Sequence, residues 1–135
     1  MRSRAAELRL LLDTVAFLWI VGGARELSAT ARKAFASPEN EAFLSAASAW
    51  EIALKNRMGR LPLPESPEAF VPKQRAAHGI DALPIDEVAA LHVAKLPDLH
   101  RDPFDRILVA QALVGDLVLL TPDEAIRRYP VRTLW

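Results

Sequence analysis

The chain has 135 residues, 51% of them hydrophobic and 25% charged, which suits one globular domain able to bury about two-thirds of its unfolded surface. Seventeen basic side chains balance seventeen acidic ones, so bulk charge offers no reason to expect nucleic-acid binding and leaves only local patches. The absence of cysteine excludes a disulfide framework, a thiolate nucleophile and a cysteine zinc site, and fits a cytoplasmic protein.

Met1-Arg2-Ser3-Arg4 ahead of apolar residues resembles the start of a targeting segment, but Glu7, Arg9 and Asp13 interrupt it. The longest clean apolar stretch, Val15 to Val21, is too short to span a bilayer. A single domain over 1–135 is expected, with 1–9 as a short charged leader and no membrane association. Leu8 to Leu12 is a short apolar run that reads as a buried strand with Asp13 at its C-terminal end. Val15 to Ile20 follows as a helix stopped by Gly22-Gly23, and Ser28 is placed to cap a helix over 29–36. Ala42-Phe43-Leu44 is a second strand. The next helix starts at Ser45 or Ser48 and runs to Met58, with Gly59 as its stop. Starting at Ser48, it would make Glu51 part of a capping box; starting at Ser45, it would put Glu51 one turn in. Spacing alone leaves both open.

Leu61-Pro62-Leu63-Pro64 reads as an extended linker, and Ser66-Pro67-Glu68 as the start of a helix that Pro72 should kink. Ile80 to Ile85 is a weak strand broken by Pro84. Asp86 to Leu96 is a helix with Val88, Leu91 and His92 near one face. The stretch from His100 to Ala112 turns at Asp102-Pro103, where Asp caps and Pro takes the first helical position, so capping is the favoured role for Asp102. Asp105 lies in the first turn, on the side of Leu108, Val109 and Ala112. A carboxylate at the edge of a buried face needs a partner, and a cation is one. Leu117 to Leu120 is the clearest strand; Thr121-Pro122-Asp123-Glu124 opens a short helix, and Val131 to Leu134 is a last strand. Strands alternating with helices argue for an α/β sandwich around a mostly parallel sheet.

In such sheets ligands bind beyond the carboxyl ends of the strands. Asp13, Glu51, Asp105 and Asp123 each stand just past a strand or on a helix next to one. Convergent carboxylates suit hard divalent cations, which flank an in-line phosphodiester displacement.

Leu-Leu-Asp-Thr (11–14), Leu-Ser-Ala-Ala-Ser-Ala-Trp-Glu-Ile (44–52), Arg-Asp-Pro-Phe-Asp-Arg-Ile-Leu-Val-Ala-Gln-Ala (101–112), Leu-Leu-Thr-Pro-Asp (119–123) and Val-Arg-Thr-Leu-Trp (131–135) together resemble the PIN-domain family. The resemblance is closest to the VapC-type toxins of bacterial toxin–antitoxin pairs and covers Leu10 to Trp135. It implies a PIN-like three-layer α/β/α sandwich and a Mg²⁺- or Mn²⁺-dependent endoribonuclease. It further implies a homodimer, inhibited by a cognate antitoxin whose tail enters the site. Carried over by position, the catalytic and metal-binding set would be Asp13, Glu51, Asp105 and Asp123, supported by Thr14, Thr121 and Asp102. Val15 stands where relatives often carry His, and the leader is longer than usual.

The three histidines fit no Ser/His/Asp or zinc pattern. His92 is expected packed on its helix and His78 at a helix end, while a place for His100 near the site mouth is the minority reading. Trp19, Trp50 and Trp135 are expected in the core or a dimer surface. Lys55, Arg101 and Arg106, with Arg57 and Arg60, are candidate RNA phosphate contacts. A signalling receiver domain would want paired acids after the first strand and a late Lys; Leu12 precedes a lone Asp13, and no Lys follows Lys95. The remaining alternative is a non-catalytic PIN-like binding module whose acids serve as helix caps.

Overall fold

Three consecutive leucines, Leu10, Leu11 and Leu12, are wholly buried, and side chains that alternate across a strand can all be buried only if both faces are covered. In the computed structural model, which describes residues 7–135, they form the middle of the sheet. The strands are β1 (Arg9–Leu12), β2 (Glu41–Ser45), β3 (Asp81–Leu83), β4 (Val118–Leu120) and β5 (Thr133–Leu134), in the order β3-β2-β1-β4-β5. Every pairing is parallel, with Leu12 opposite Leu44 on one side and Leu120 on the other. The sheet is therefore wholly parallel rather than mostly so. Arg9 belongs to β1, paired with Glu41, and residues 1–6 of the expected leader lie outside the described residues.

The helices are α1 (Thr14–Gly22), α2 (Ala29–Ala36), α3 (Ala46–Arg57), α4 (Pro67–Ala77), α5 (Glu87–His92), α6 (Pro103–Gly115) and α7 (Glu124–Arg127). The two-residue period of the strands divides the core. Leu10, Leu12, Leu44 and Leu120 face Phe17, Ile20, Ala31, Ile52 and Phe70, which come from α1 to α4. Leu11 and Leu119 face Leu108, Val109 and Ala112 of α6 and Ile126 of α7. Three layers result.

Local departures have local causes. Helix α4 continues through Pro72, where a kink was expected; both Pro72 and Glu68, whose carbonyl loses its i+4 donor, are exposed, so water can serve that carbonyl. The helix expected to reach Leu96 ends at His92 and continues only as a 3₁₀ turn over Val93–Lys95. Val88 and Leu91 of α5 face solvent, and its buried residue is Ala89. The last strand is confined to Thr133–Leu134, although Arg132 and Leu134 both accept backbone hydrogen bonds from the β4 side. Among the described residues no helix is long and apolar enough to cross a membrane.

Because the strands run the same way, their C-terminal ends share one edge. β2 leads off from β1 in one direction and β4 in the other, so the chain reverses its order between β1 and β4, the crevice where such sheets bind ligands. Asp13 and Thr121 are the residues that follow those two strands, and Asp13 N–H donates to Leu120 O at 3.2 Å, extending the ladder to the rim.

Buried Gln111 fixes α6 against that edge. Its Oε1 accepts from Ser45 Oγ at 2.6 Å, and its Nε2 donates to Pro84 O at 3.1 Å. Replacing it with leucine of similar size, Gln111→Leu, leaves the buried Ser45 hydroxyl without its acceptor and should cost about 1–3 kcal/mol in urea unfolding. A variant as stable as the parent would show that the tie contributes nothing.

Candidate metal centre

Asp13 caps α1. Its Oδ1 accepts from Ala16 N–H at 2.7 Å and its Oδ2 from Thr121 Oγ1 at 2.5 Å, with only 4% of the residue exposed. Burial pushes its carboxyl up to about 6 even though both hydrogen bonds pull the other way; the Asp123 and Glu51 charges add to the rise. The same Thr121 oxygen accepts from Asp123 N–H at 3.0 Å, so one buried hydroxyl bridges the first and last acids of the set. Asp123 caps α7 through Oδ1, which accepts from Ala125 N–H at 2.8 Å, and keeps Oδ2 free of backbone bonds.

Glu51 sits on the second turn of α3. The helix is capped by Ser45, whose Oγ accepts from Ala47 N–H, so the Ser48–Glu51 capping box does not form. Ser48 Oγ is buried without a hydrogen-bond partner among the described residues. Glu51 is buried, receives Thr14 Oγ1 at 2.6 Å, and pairs with Lys55 one turn on at 2.5 Å. Asp102 caps α6, its Oδ1 accepting from Phe104 N–H at 2.9 Å, with Pro103 in the first position as expected.

Asp105 is the outlier. It caps nothing, and among the described residues its carboxylate has one polar partner, His100 Nε2 at 3.0 Å. Burial, followed by the charges of Asp102, Asp123, Glu51 and Asp13, lifts it to about 8. Those charges show that the four expected acids influence one another across a shared space. Contact is closer for a subset: His100, Asp105 and Asp123 offer ligand atoms all within 4.8 Å of one another. An oxygen-rich donor set, with one carboxylate held against its own ionisation, fits a hard divalent cation.

The basic residues part ways. Lys55 lies against Glu51 at this edge, and Arg101 is exposed on the approach to α6. Arg106 spends its guanidinium on Pro97 O, His100 O, Val93 O and the Tyr129 hydroxyl, and so acts as a structural brace. His100 is the residue the sequence undervalued. Its one available signal was a place in the polar run leading into α6. His78 caps the end of α4, its Nδ1 2.9 Å from Gln74 O. Trp19 packs on Trp135 with ring centroids 5.8 Å apart, whereas Trp50 is 64% exposed and meets Phe104 edge-on.

Comparison with known proteins gives the same outline. The family model described as PIN domain matches residues 10–131. This chain belongs to the PIN-domain family. Ribonuclease VapC16 of Mycobacterium tuberculosis is 43% identical to it over 53 residues, 39% of this chain. The match spans only 38% of that curated relative's own length. Among solved structures, the Rickettsia felis VapBC2 bound to a promoter DNA fragment superposes with a TM-score of 0.64 at 10% identity, covering 93% of this chain and 97% of that one. The DNA-bound VapBC of Salmonella typhimurium gives 0.64 at 17% identity, covering 93% and 96%. At these identities the likeness concerns the fold alone.

The raised carboxyls make the stability of this PIN domain depend on pH. Unfolded aspartates titrate near ~3.9, so the folded state holds protons that the unfolded chain releases. This stabilisation is full below that value and is lost as pH rises through about 6 for Asp13 and about 8 for Asp105. In chelator, the melting temperature should therefore fall between mildly acidic and mildly alkaline pH. Asp105→Asn should flatten the alkaline part of that fall and melt higher than the parent there; equal slopes would count against the cluster. Asp102→Ala should lower stability by about 1 kcal/mol through the lost cap at mildly acidic pH, and by less on the alkaline side, where it also removes a charge that opposes ionisation of Asp105.

Proposed function

We propose that this PIN domain is an endoribonuclease that hydrolyses RNA phosphodiester bonds with Mg²⁺ or Mn²⁺, as the toxin of a toxin–antitoxin pair in the cytoplasm. The observation that carries the reading is Asp105: a carboxylate in the first turn of α6 that is not its cap and is held far above the usual range by burial and by four neighbouring acids. A helix cap explains Asp13, Asp102 and Asp123, but it does not explain Asp105 or Glu51. The PIN family and the partial match to a ribonuclease support the reaction class.

Asp13, Glu51, Asp105 and Asp123 are the residues that would hold the cation. A bound divalent ion supplies Lewis-acid polarisation of a phosphoryl oxygen and a water acidic enough to attack at neutral pH. The chain's own groups prepare the place. Thr121 Oγ1 donates to Asp13 Oδ2, which leaves that carboxylate no freedom to rotate. Thr14 Oγ1 does the same for Glu51. Lys55, 43% exposed at its side chain, neutralises Glu51 on the solvent side and presents an ammonium to an approaching phosphate. Arg101 extends the positive rim.

A partner is part of the proposal. Trp50 and Leu54 of α3, with Met58 at its C-cap, make an exposed apolar stripe at four-residue spacing beside Glu51, a surface suited to protein contact. A cognate antitoxin with a basic side chain aimed at the carboxylates would relieve the repulsion a cation relieves, and a homodimer would cover further apolar surface.

Asp13→Asn keeps a cap-competent side chain while removing a ligand charge. It should lower RNA cleavage in Mg²⁺ or Mn²⁺ by about a hundredfold or more, the scale of a lost electrostatic contribution in an active site. Its circular dichroism should stay that of the parent. Cleavage at the parental rate by a homogeneous variant would sink the proposal. The cap-only binding module, favoured by the three capping aspartates, predicts instead that Mn²⁺ leaves the parent's melting temperature unchanged.

A further inference from the structure

An all-carboxylate site has no use for His100, yet much of the neighbouring structure holds it in place. Arg106, in α6, reaches back to Pro97 O at 3.0 Å, Val93 O at 3.1 Å and His100 O at 3.4 Å. Its guanidinium also donates to the Tyr129 hydroxyl at 3.0 Å, and that hydroxyl lies 3.5 Å from His100 O. The backbone of His100 is thus tied to α6 and to the turn after α7. On the ring, Nδ1 accepts from Asp102 N–H at 3.4 Å, and Nε2 carries the proton and lies at hydrogen-bond distance, 3.0 Å, from Asp105 Oδ2 and 3.9 Å from Asp123 Oδ2. The histidine side chain is 24% exposed, so it lies in the wall of the site rather than above it.

These separations have a chemical meaning. Adjacent donor atoms on an octahedral shell with bonds of about 2.1 Å stand roughly 3.0 Å apart. The His100–Asp105 separation already matches such an edge, and the His100–Asp123 separation exceeds it by less than an ångström. We propose that His100 Nε2 is a nitrogen ligand of the divalent cation, shared with Asp105 and Asp123, and that it biases the site towards Mn²⁺ over Mg²⁺. The inference rests on the metal-dependent reading above. Mg²⁺ demands near-ideal oxygen coordination, whereas Mn²⁺, though it also takes oxygen donors, opens the first-row series in which nitrogen-containing sites gain affinity. Ligation needs the Nε2 lone pair, so the ring proton passes through solvent to Nδ1, and the long contact from Asp102 N–H is given up. The brace on His100 O is unaffected by that exchange, because it holds the main chain.

The test is electron spin-echo spectroscopy on the Mn²⁺-loaded protein, at natural abundance and with ¹⁵N-labelled histidine. Directly coordinated nitrogen modulation is expected, changing with the label. The other two histidines, His78 and His92, lie on other elements, His78 closing α4 and His92 ending α5. In parallel, His100→Ala should weaken Mn²⁺ binding by about tenfold, the scale on which ligand-shell changes move metal affinity, and leave Mg²⁺ binding nearly unchanged. Mn²⁺ bound to the parent without histidine modulation would overturn the assignment while leaving the metal site standing. An unchanged Mn²⁺-to-Mg²⁺ preference in a folded His100→Ala would do the same. If the parent binds no Mn²⁺ at all, both this inference and the metal-dependent reading fall.

Discussion

The site depends on a conflict that the fold imposes. A wholly parallel sheet brings the carboxyl ends of β1 and β4 side by side, and acids stand just past both. Burial makes ionisation of Asp13 and Asp105 unfavourable, and each ionised neighbour makes it more so. Within the chain the repulsion is met in part, by Thr14 and Thr121 hydroxyls, by Lys55 against Glu51 and by His100 against Asp105. What is left over is an affinity for positive charge.

Capping a helix leaves a carboxylate room for a second role. Asp13 gives Oδ1 to the start of α1 and Asp123 gives Oδ1 to the start of α7, while the second oxygen of each is directed to side chains in the cluster. A carboxylate has enough acceptor positions to satisfy a helix end and still face a cation. Helix dipoles at these termini also favour the negative charge that burial opposes.

Much of this was legible in the sequence, and the physical reasons for success and failure differ. Leu-Leu-Leu before Asp13 and Leu-Val-Leu-Leu before Thr121 announce fully buried strands, because only a covered parallel strand tolerates apolar residues on both faces. Asp102-Pro103 announces its helix start by local chemistry alone. Tertiary information was out of reach. Two serines were equally good caps for α3, and only the position of β2 selects Ser45. The guanidinium of Arg106 looked free because its four acceptors lie up to 23 positions away. His100 gave no periodic signal, since loops carry none. Apolar spacing set Val88 and Leu91 near one face of α5 but could not say which way that face turns, and it turns to solvent.

The Thr121–Asp13 hydrogen bond joins residues 108 positions apart. β1 leaves the ribosome long before its neighbour β4, with β2, β3 and six helices between them. Until β4 arrives, one edge of β1 is open, and Asp13 has neither its hydroxyl partner nor Asp123 nearby. Contacts of such long range form late, because the chain must first close the loop of 108 positions between them. The charged crevice therefore comes into being only once β4 has paired with β1, however early β1 was made.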